Sequence, residues 1–257
     1  MSCLGRIGDC RFLNHIDDTA QLIAGMADDM ATELTQYLAS RHVQPTAAWM
    51  RSFMASMRPN TPVAALKQTS LFRLLATDIT VTLSPPPAAL FPDDILRGPP
   101  QSRHVAGPVL CQVLDVEDIG HSRWSQVEAI ESRERGEMTK GREIVRIVDQ
   151  DDDNPAASTA QVQSKGPFKL LLQDANGTQV YALELRGIDG LNTNMAMGVK
   201  LLLKNIDVRR GVVMLEPSSV QVLGGKLEAL DKAWKAGRKE RLVTAAKAGG
   251  ENNNNNS

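Results

Sequence analysis

Aromatic side chains are scarce, at 4% of the 257 residues. That counts against a surface that works by stacking unpaired bases, because such platforms are built from aromatic rings. Cysteine is scarce as well: Cys3, Cys10 and Cys111 are all there are. Three scattered thiols make no disulfide framework and fit a reducing compartment, cytosol or nucleus. No charge of one sign dominates. The formal net charge is -1, unlike a protein whose whole surface clings to nucleic acid. No apolar run is long enough to span a bilayer. The N-terminus lacks the basic-then-apolar layout of a secretory signal, so secretion is not expected.

What is present is a 42% apolar, 23% charged chain, enough for a sizeable core in one or two domains. Residues 1–27 have no clean period and read as a poorly ordered extension. From Asp28 the pattern is helical. Met30, Leu34, Tyr37 and Leu38 recur at helical spacing until Pro45. Pro45 suits the first turn of a second helix, which carries Trp49, Phe53, Met54 and Met57 on one stripe. Thr61 is a good N-cap and Pro62 a good first residue for a third helix, with Leu66, Leu71, Leu74 and Leu75 inward. Short links predict a three-helix bundle over 28–83 with Trp49, Phe53 and Leu74 in its core.

Six prolines in residues 84–100 bar helix continuation and suggest an extended connector over 84–103. Leu90, Phe91, Ile95 and Leu96 would tack it onto the next domain. From Gly107 the period changes to strand, with Val109, Cys111 and Val113 alternating with Leu110, Gln112 and Leu114. A long interruption occupies 118–166. Residues 168–173 and 179–185 flank Asn176-Gly177, a strong hairpin signal. Strands are expected at 199–203 and 212–215, the latter prolonged by 220–223 after Pro217. A helix is expected over 225–248, then a low-complexity asparagine tail over 249–257. The fold class expected is therefore α+β: an N-terminal three-helix bundle, then a five-stranded barrel over 104–224 and a C-terminal helix. Periodicity alone does not separate an OB barrel from an SH3-like one.

No constellation at usable spacing points to catalysis, and neither a metal nor a cofactor is expected. His15, His42, His104 and His121 are scattered, and Cys3 and Cys10 are not at zinc spacing. Gly224-Gly225-Lys226 lacks the upstream glycine and following hydroxyl of a phosphate loop and reads as a strand-to-helix turn. Asp151-Asp152-Asp153 lacks the glycine and terminal glutamate of a calcium loop and reads as a solvated loop. The barrel stretch, 101–224, holds three aromatics (Trp124, Phe168, Tyr181) and 14 Lys+Arg against 17 Asp+Glu, which disfavours nucleic-acid binding by the barrel itself. The segment from Lys226 holds 7 basic against 4 acidic residues. Leu227, Leu230 and Trp234 should pack that helix on the barrel. Lys232, Lys235, Arg238, Lys239 and Arg241 then form a solvated basic face or, in the alternative reading, a weak phosphate contact.

The stretch GVKLLLKNIDVRRGVVMLEPSSVQVLGGKLEAL, 198–230, resembles the RecQ-mediated genome instability protein 1 family. The resembling features are a Gly-x-Lys strand, an Arg-x-Gly turn, an apolar strand, Glu-Pro, and a Val-x-x-Leu-Gly-Gly ending, Val220 to Gly225. Gly107-Pro108, Leu171, Leu172, Asp174 and Gly177 fit its earlier strands, and Trp49, Phe53 and the LFRLLATDI stretch (71–79) fit its helical domain. The resemblance covers about residues 30–245. It implies a non-catalytic OB-fold subunit that binds topoisomerase III directly, joins a RecQ-type helicase, and supports double Holliday junction dissolution in the nucleus. The chain looks like the short, fungal-type form without a second OB domain.

The resemblance also bears on the interruption, which it places between the first two barrel strands as the family's contact with the topoisomerase gate. Barrel loops usually run about 2–5 residues, so this one needs a reason. Trp124, Val127 and Ile130 suggest a short helix within it. Ile144, Val145, Arg146, Ile147 and Val148 form a β-prone apolar run with no place in a five-stranded barrel. Two readings stand: a flap covering its own barrel, or a partner-binding loop with that run as anchor.

Overall fold

Leu34 and Leu38, one turn apart, are both completely buried. They lie on the first helix in a computed structural model that describes residues 29–58, 61–96, 101–135 and 166–251. The extension 1–27, the run from Ile144 to Val148, the three aspartates from Asp151 and the tail from Asn252 lie outside those residues. The chain divides into two compact units: Met1–Leu74 with Val81–Pro85, and Leu75–Thr80 with Pro86–Ser257.

In the helical unit, α1 (29–40) ends where His42 takes a left-handed φ of 62° and the Val43 N–H returns to the Leu38 carbonyl at 3.0 Å. Helix α2 (Ala47–Ala55) starts at Thr46, whose hydroxyl accepts the Trp49 N–H at 3.2 Å. Such a cap stabilises a helix by about 1 kcal/mol. Pro45 therefore sits before the cap, bridged to Leu83, rather than inside the first turn. The inward face of α2 is Met50 and Phe53. Trp49 is only half-buried and lies flat on Phe53, ring centroids 5.1 Å apart. The expected core thus holds at Phe53 and Leu74 and is corrected at Trp49, because the buried stripe is rotated by one residue to Met50. Helix α3 (Val63–Leu75) buries Leu66, Ser70 and Leu74. Thr61 precedes it, but its hydroxyl donates to the Arg58 carbonyl at 2.8 Å. A short helix α4 (Ile79–Thr82) comes next.

Among the described residues, eight strand segments form one sheet in the order β1-β6-β7-β4-β3-β2-β5-β8. They amount to five strands, three of them bent. Segments β1 (Ser102–Val105) and β2 (Val109–Asp118) are one strand broken at Gly107, which has φ +73° and packs where a Cβ would strike the Leu203 carbonyl. Segments β3 (Phe168–Asp174) and β4 (Gln179–Glu184) are the expected hairpin. The Asp174 carboxylate accepts the Asn176 and Thr178 N–H groups at its turn, at 3.0 and 2.8 Å. Segments β5 (Lys200–Leu203) and β6 (Ile206–Arg209) bend at Asn205, φ 51°. Segments β7 (Val212–Leu215) and β8 (Val220–Gly224) part around Pro217, which cannot donate to a ladder. β4 and β7 pair in parallel and all other neighbours are antiparallel. Since β1 continues into β2, the sheet closes on itself: the Greek-key barrel of an OB fold.

The barrel core alternates as strands require: Cys111 and Val113, Leu170 and Leu172, Val180 and Ala182, Leu201 and Leu203, Val213 and Leu215 point inward. The proline-rich stretch is more than a connector. Phe91 and Ile95 belong to that core, and the Phe91 N–H donates to Asp174 at 3.0 Å, whereas Leu96 is exposed. Helix α6 (Glu228–Glu251) lays Trp234 on the core, and the indole N–H donates to Asp115 at 2.5 Å.

Among the described residues of this unit, one cation lies inside. Lys200 is fully buried, and its ammonium donates to the Gly198 carbonyl at 2.8 Å. Burial pulls its pKa down to about 8, against the attraction of Asp78. The Asp78 carboxylate takes hydrogen bonds from Gln112 and Thr80, at 2.9 and 2.8 Å, and Gln112 accepts the Ile79 N–H at 3.3 Å. Residues 77–80 are thereby tied to β2 and β5.

Candidate protein interface at the root of the insertion

The two ends of the insertion meet at a built stem. The Ile119 N–H donates to the Pro167 carbonyl at 3.1 Å. Gly120 and Gly166 pack so closely that a Cβ on Gly120 would collide with the Gly166 carbonyl. Asp118 accepts the Gly120 N–H at 2.8 Å and faces His121 at 2.9 Å. On the other side, Glu184 accepts the Phe168 and Ile188 N–H groups at 3.1 and 2.8 Å. The buried carboxylates Asp118 and Glu184 thus find their partners at the junction, as burial demands.

The helix expected inside the insertion is present as α5 (Arg123–Glu134), capped by the Ser122 hydroxyl on the Ser125 N–H at 3.1 Å. Val127 is buried, Ile130 is half-buried, and Trp124 points out, 53% exposed. Gln126 is the residue that pattern reading passes over. It is buried and donates to the Asp118 and His121 carbonyls at 2.9 and 3.1 Å, fixing α5 to the stem. Beside it, Glu117 pairs with Arg123 and Lys169, each at 2.8 Å. Burial pushes the Glu117 carboxyl up, but the two cations outweigh it and hold it below the usual range. The proposed anchor run, Ile144, Val145, Arg146, Ile147 and Val148, lies outside the described residues.

The five cations expected on the C-terminal helix are not brought together as one free face. Lys235 pairs with Asp231 at 2.9 Å. Arg238 reaches the Thr193 carbonyl at 3.3 Å and stacks over Trp234. Lys239 bridges Glu131 and Glu134 of α5 at 3.2 and 2.8 Å. Arg241 donates to the Trp234 carbonyl at 2.9 Å. Among the described residues, only Lys232 of the five carries no such contact. Gly224 and Gly225 both take positive φ, 85° and 94°, as a strand-to-helix turn requires. Among the described residues no three His, Cys, Asp or Glu side chains gather as a metal site. Nor is any helix there long and apolar enough to cross a membrane.

Of the three barrel aromatics, Phe168 is core and Trp124 stands on α5, which leaves Tyr181 alone on the outer sheet face.

The family model described as "RMI1, N-terminal OB-fold domain" matches residues 91–238, and "RMI1, N-terminal helical domain" matches 38–82. The chain belongs to the RecQ-mediated genome instability protein 1 family. It is 28% identical over 219 residues to the RecQ-mediated genome instability protein 1 of Schizosaccharomyces pombe, covering 80% of this chain and 90% of that one. The Mus musculus protein of that name is 27% identical over 205 residues, 77% of this chain and 30% of its own length. The Xenopus laevis one is 36% identical over 96 residues, 34% and 17% respectively. The chain thus spans a third or less of these vertebrate relatives. Family membership places it in genome maintenance.

Proposed function

We propose that this chain is a non-catalytic nuclear subunit that binds topoisomerase III and, with a RecQ-type helicase, supports decatenation and double Holliday junction dissolution. The observation that carries the reading is the stem. A partner loop must leave its scaffold without unravelling it, and here Ile119–Pro167, Gly120–Gly166 and Gln126–Asp118 seal the barrel at the junction. A type IA topoisomerase opens a protein gate to pass a strand, then closes it. A loop reaching that gate biases the two states through its differing affinity for each. About 1.4 kcal/mol of difference changes the population ratio tenfold. The basic C-terminal helix weighs less as a DNA grip, because four of its five cations are already held within the protein.

The test is deletion of residues 140–164 in the full chain, followed by measurement of complex formation, melting temperature and dissolution rate. The expected result is an unchanged melting temperature, retained association through the remaining surface, and slower dissolution. Normal dissolution by a folded complex removes the loop's role. A collapsed barrel means the insertion completes its own core instead.

A further inference from the structure

Two arginines of α6 lie over one buried ring, and a third, from α5, acts on them. Trp234 is buried, and Asp115 holds its indole N–H. The Arg238 and Arg241 guanidiniums sit 5.3 and 5.4 Å from the ring centroid. Each donates to a backbone carbonyl, Arg238 to Thr193 at 3.3 Å and Arg241 to Trp234 itself at 2.9 Å. Gly237 makes room for this arrangement. A Cβ there would come within 2.8 Å of Arg241 Nη1, whereas glycine is otherwise a poor choice inside a helix. Burial and then the charge of Arg133 pull the Arg238 pKa down. Arg241 adds to that effect, and Asp118 opposes it.

Fixing these groups does not neutralise them. A carbonyl positions a guanidinium but leaves its charge in place. Among the described residues, no ion pair joins Arg133, Arg238 or Arg241 to a carboxylate. The nearby acids are committed elsewhere, Asp115 to the indole and Asp118 to the Gly120 N–H and His121. The neighbouring lysines differ: Lys235 is paired with Asp231, and Lys239 with Glu131 and Glu134. Uncompensated charge is thus confined to one place beside Trp234. Arginine forks match phosphate oxygens two at a time, and side chains already held in place lose little freedom on binding. A nucleic-acid strand needs repeated cations and free rings; here the adjacent lysines are paired and the ring is covered. A single doubly charged phosphomonoester fits what remains.

We propose that Arg133, Arg238 and Arg241 form an anion site for one phosphomonoester, carried by a phosphorylated serine or threonine of a protein partner. The site is independent of the insertion and of the topoisomerase reading.

The probes are a short glycine–alanine peptide around one phosphoserine, the same peptide with plain serine, inorganic phosphate, and oligothymidylate without a terminal phosphate. Each is titrated against the full chain. The expected result is binding of the phosphopeptide and not of its plain counterpart, weakened about tenfold by Arg133→Gln and by Arg238→Gln. Gly237→Ala, which displaces Arg241, should weaken it as well. Lys232→Gln, which removes one charge from α6 away from the site, should not. Arg133 is exposed and makes no ion pair among the described residues, so Arg133→Gln should keep the wild-type melting temperature. It keeps the test valid if Arg238→Gln disturbs the packing on Trp234. Equal affinity for the two peptides overturns the site, and so do arginine variants that behave like Lys232→Gln. Oligothymidylate bound more tightly than the phosphopeptide, and lost with the same variants, overturns the proposal in favour of nucleic-acid phosphate. Inorganic phosphate bound as tightly as the phosphopeptide overturns the protein partner in favour of a free anion.

Discussion

Gly120 and Gly166 face each other across the stem with no room for a single added methyl on Gly120. Gly166 is further constrained by φ +78° and by the Glu184 carboxylate, which a Cβ there would meet at 2.5 Å. Gly166→Ala should therefore cost about 1–3 kcal/mol, the scale of strain for a non-glycine residue at such a φ combined with a displaced hydrogen-bond acceptor. Gly120→Ala should cost a similar amount. The double variant should cost less than the sum, because one displacement of the stem relieves both clashes. Denaturant melts of the three proteins read this directly.

In the helical unit, Phe53→Ala should destabilise by about 3–5 kcal/mol, as for a buried ring. Trp49→Ala should lose no more than about 2 kcal/mol, chiefly its flat contact with Phe53. The comparison is a pair of thermal melts. Equal losses would mean that Trp49 is as buried as Phe53.

Lys200 makes a pH prediction. Its pKa is about 8 in the folded chain and 10.5 when unperturbed. Below pH 8 both states hold the proton, and stability is flat with respect to this group. Between about 8 and 10.5 the unfolded chain binds more proton, so this group makes stability rise with pH; above that window the gain is complete. Stability of the wild type minus that of Lys200→Met should therefore climb between about pH 8 and 10. A flat or falling difference would mean that Lys200 titrates normally.

Direct DNA affinity should be weak and shallow in salt. Each duplex phosphate neutralised contributes about −0.9 to the slope of log K against log salt. With Lys235, Arg238, Lys239 and Arg241 engaged internally, a slope no steeper than about −2 is expected. A slope near about −4, reduced by Lys235→Ala or Lys239→Ala, would restore the basic helix as a DNA grip.

Much of the fold was legible in the sequence because its signals are local. The Asn176-Gly177 signal gave the hairpin and its turn. The strand bends were harder. Gly107 and Pro217 mark two of them, but Asn205 carries the third on an ordinary-looking residue. The start of β1 at Ser102 hid behind prolines, and Trp49 looked more buried than Met50 because helical spacing tolerates a rotation of one residue. The stem could not be read at all, since Gln126 and Glu184 find their partners only in three dimensions.

The ion pairs between α5 and α6 have a mechanical meaning. A pull on residues 136–165 enters the described structure at two points, Arg135 at the end of α5 and Gly166 just before β3. At the first, the load passes through Lys239 to Glu131 and Glu134, partly exposed pairs that yield one at a time. At the second it meets the Phe168–Glu184 hydrogen bond and the seven-residue ladder of β3, which resist together. Tension would therefore peel α5 from α6 while the barrel holds, giving the loop a compliant side and a stiff one.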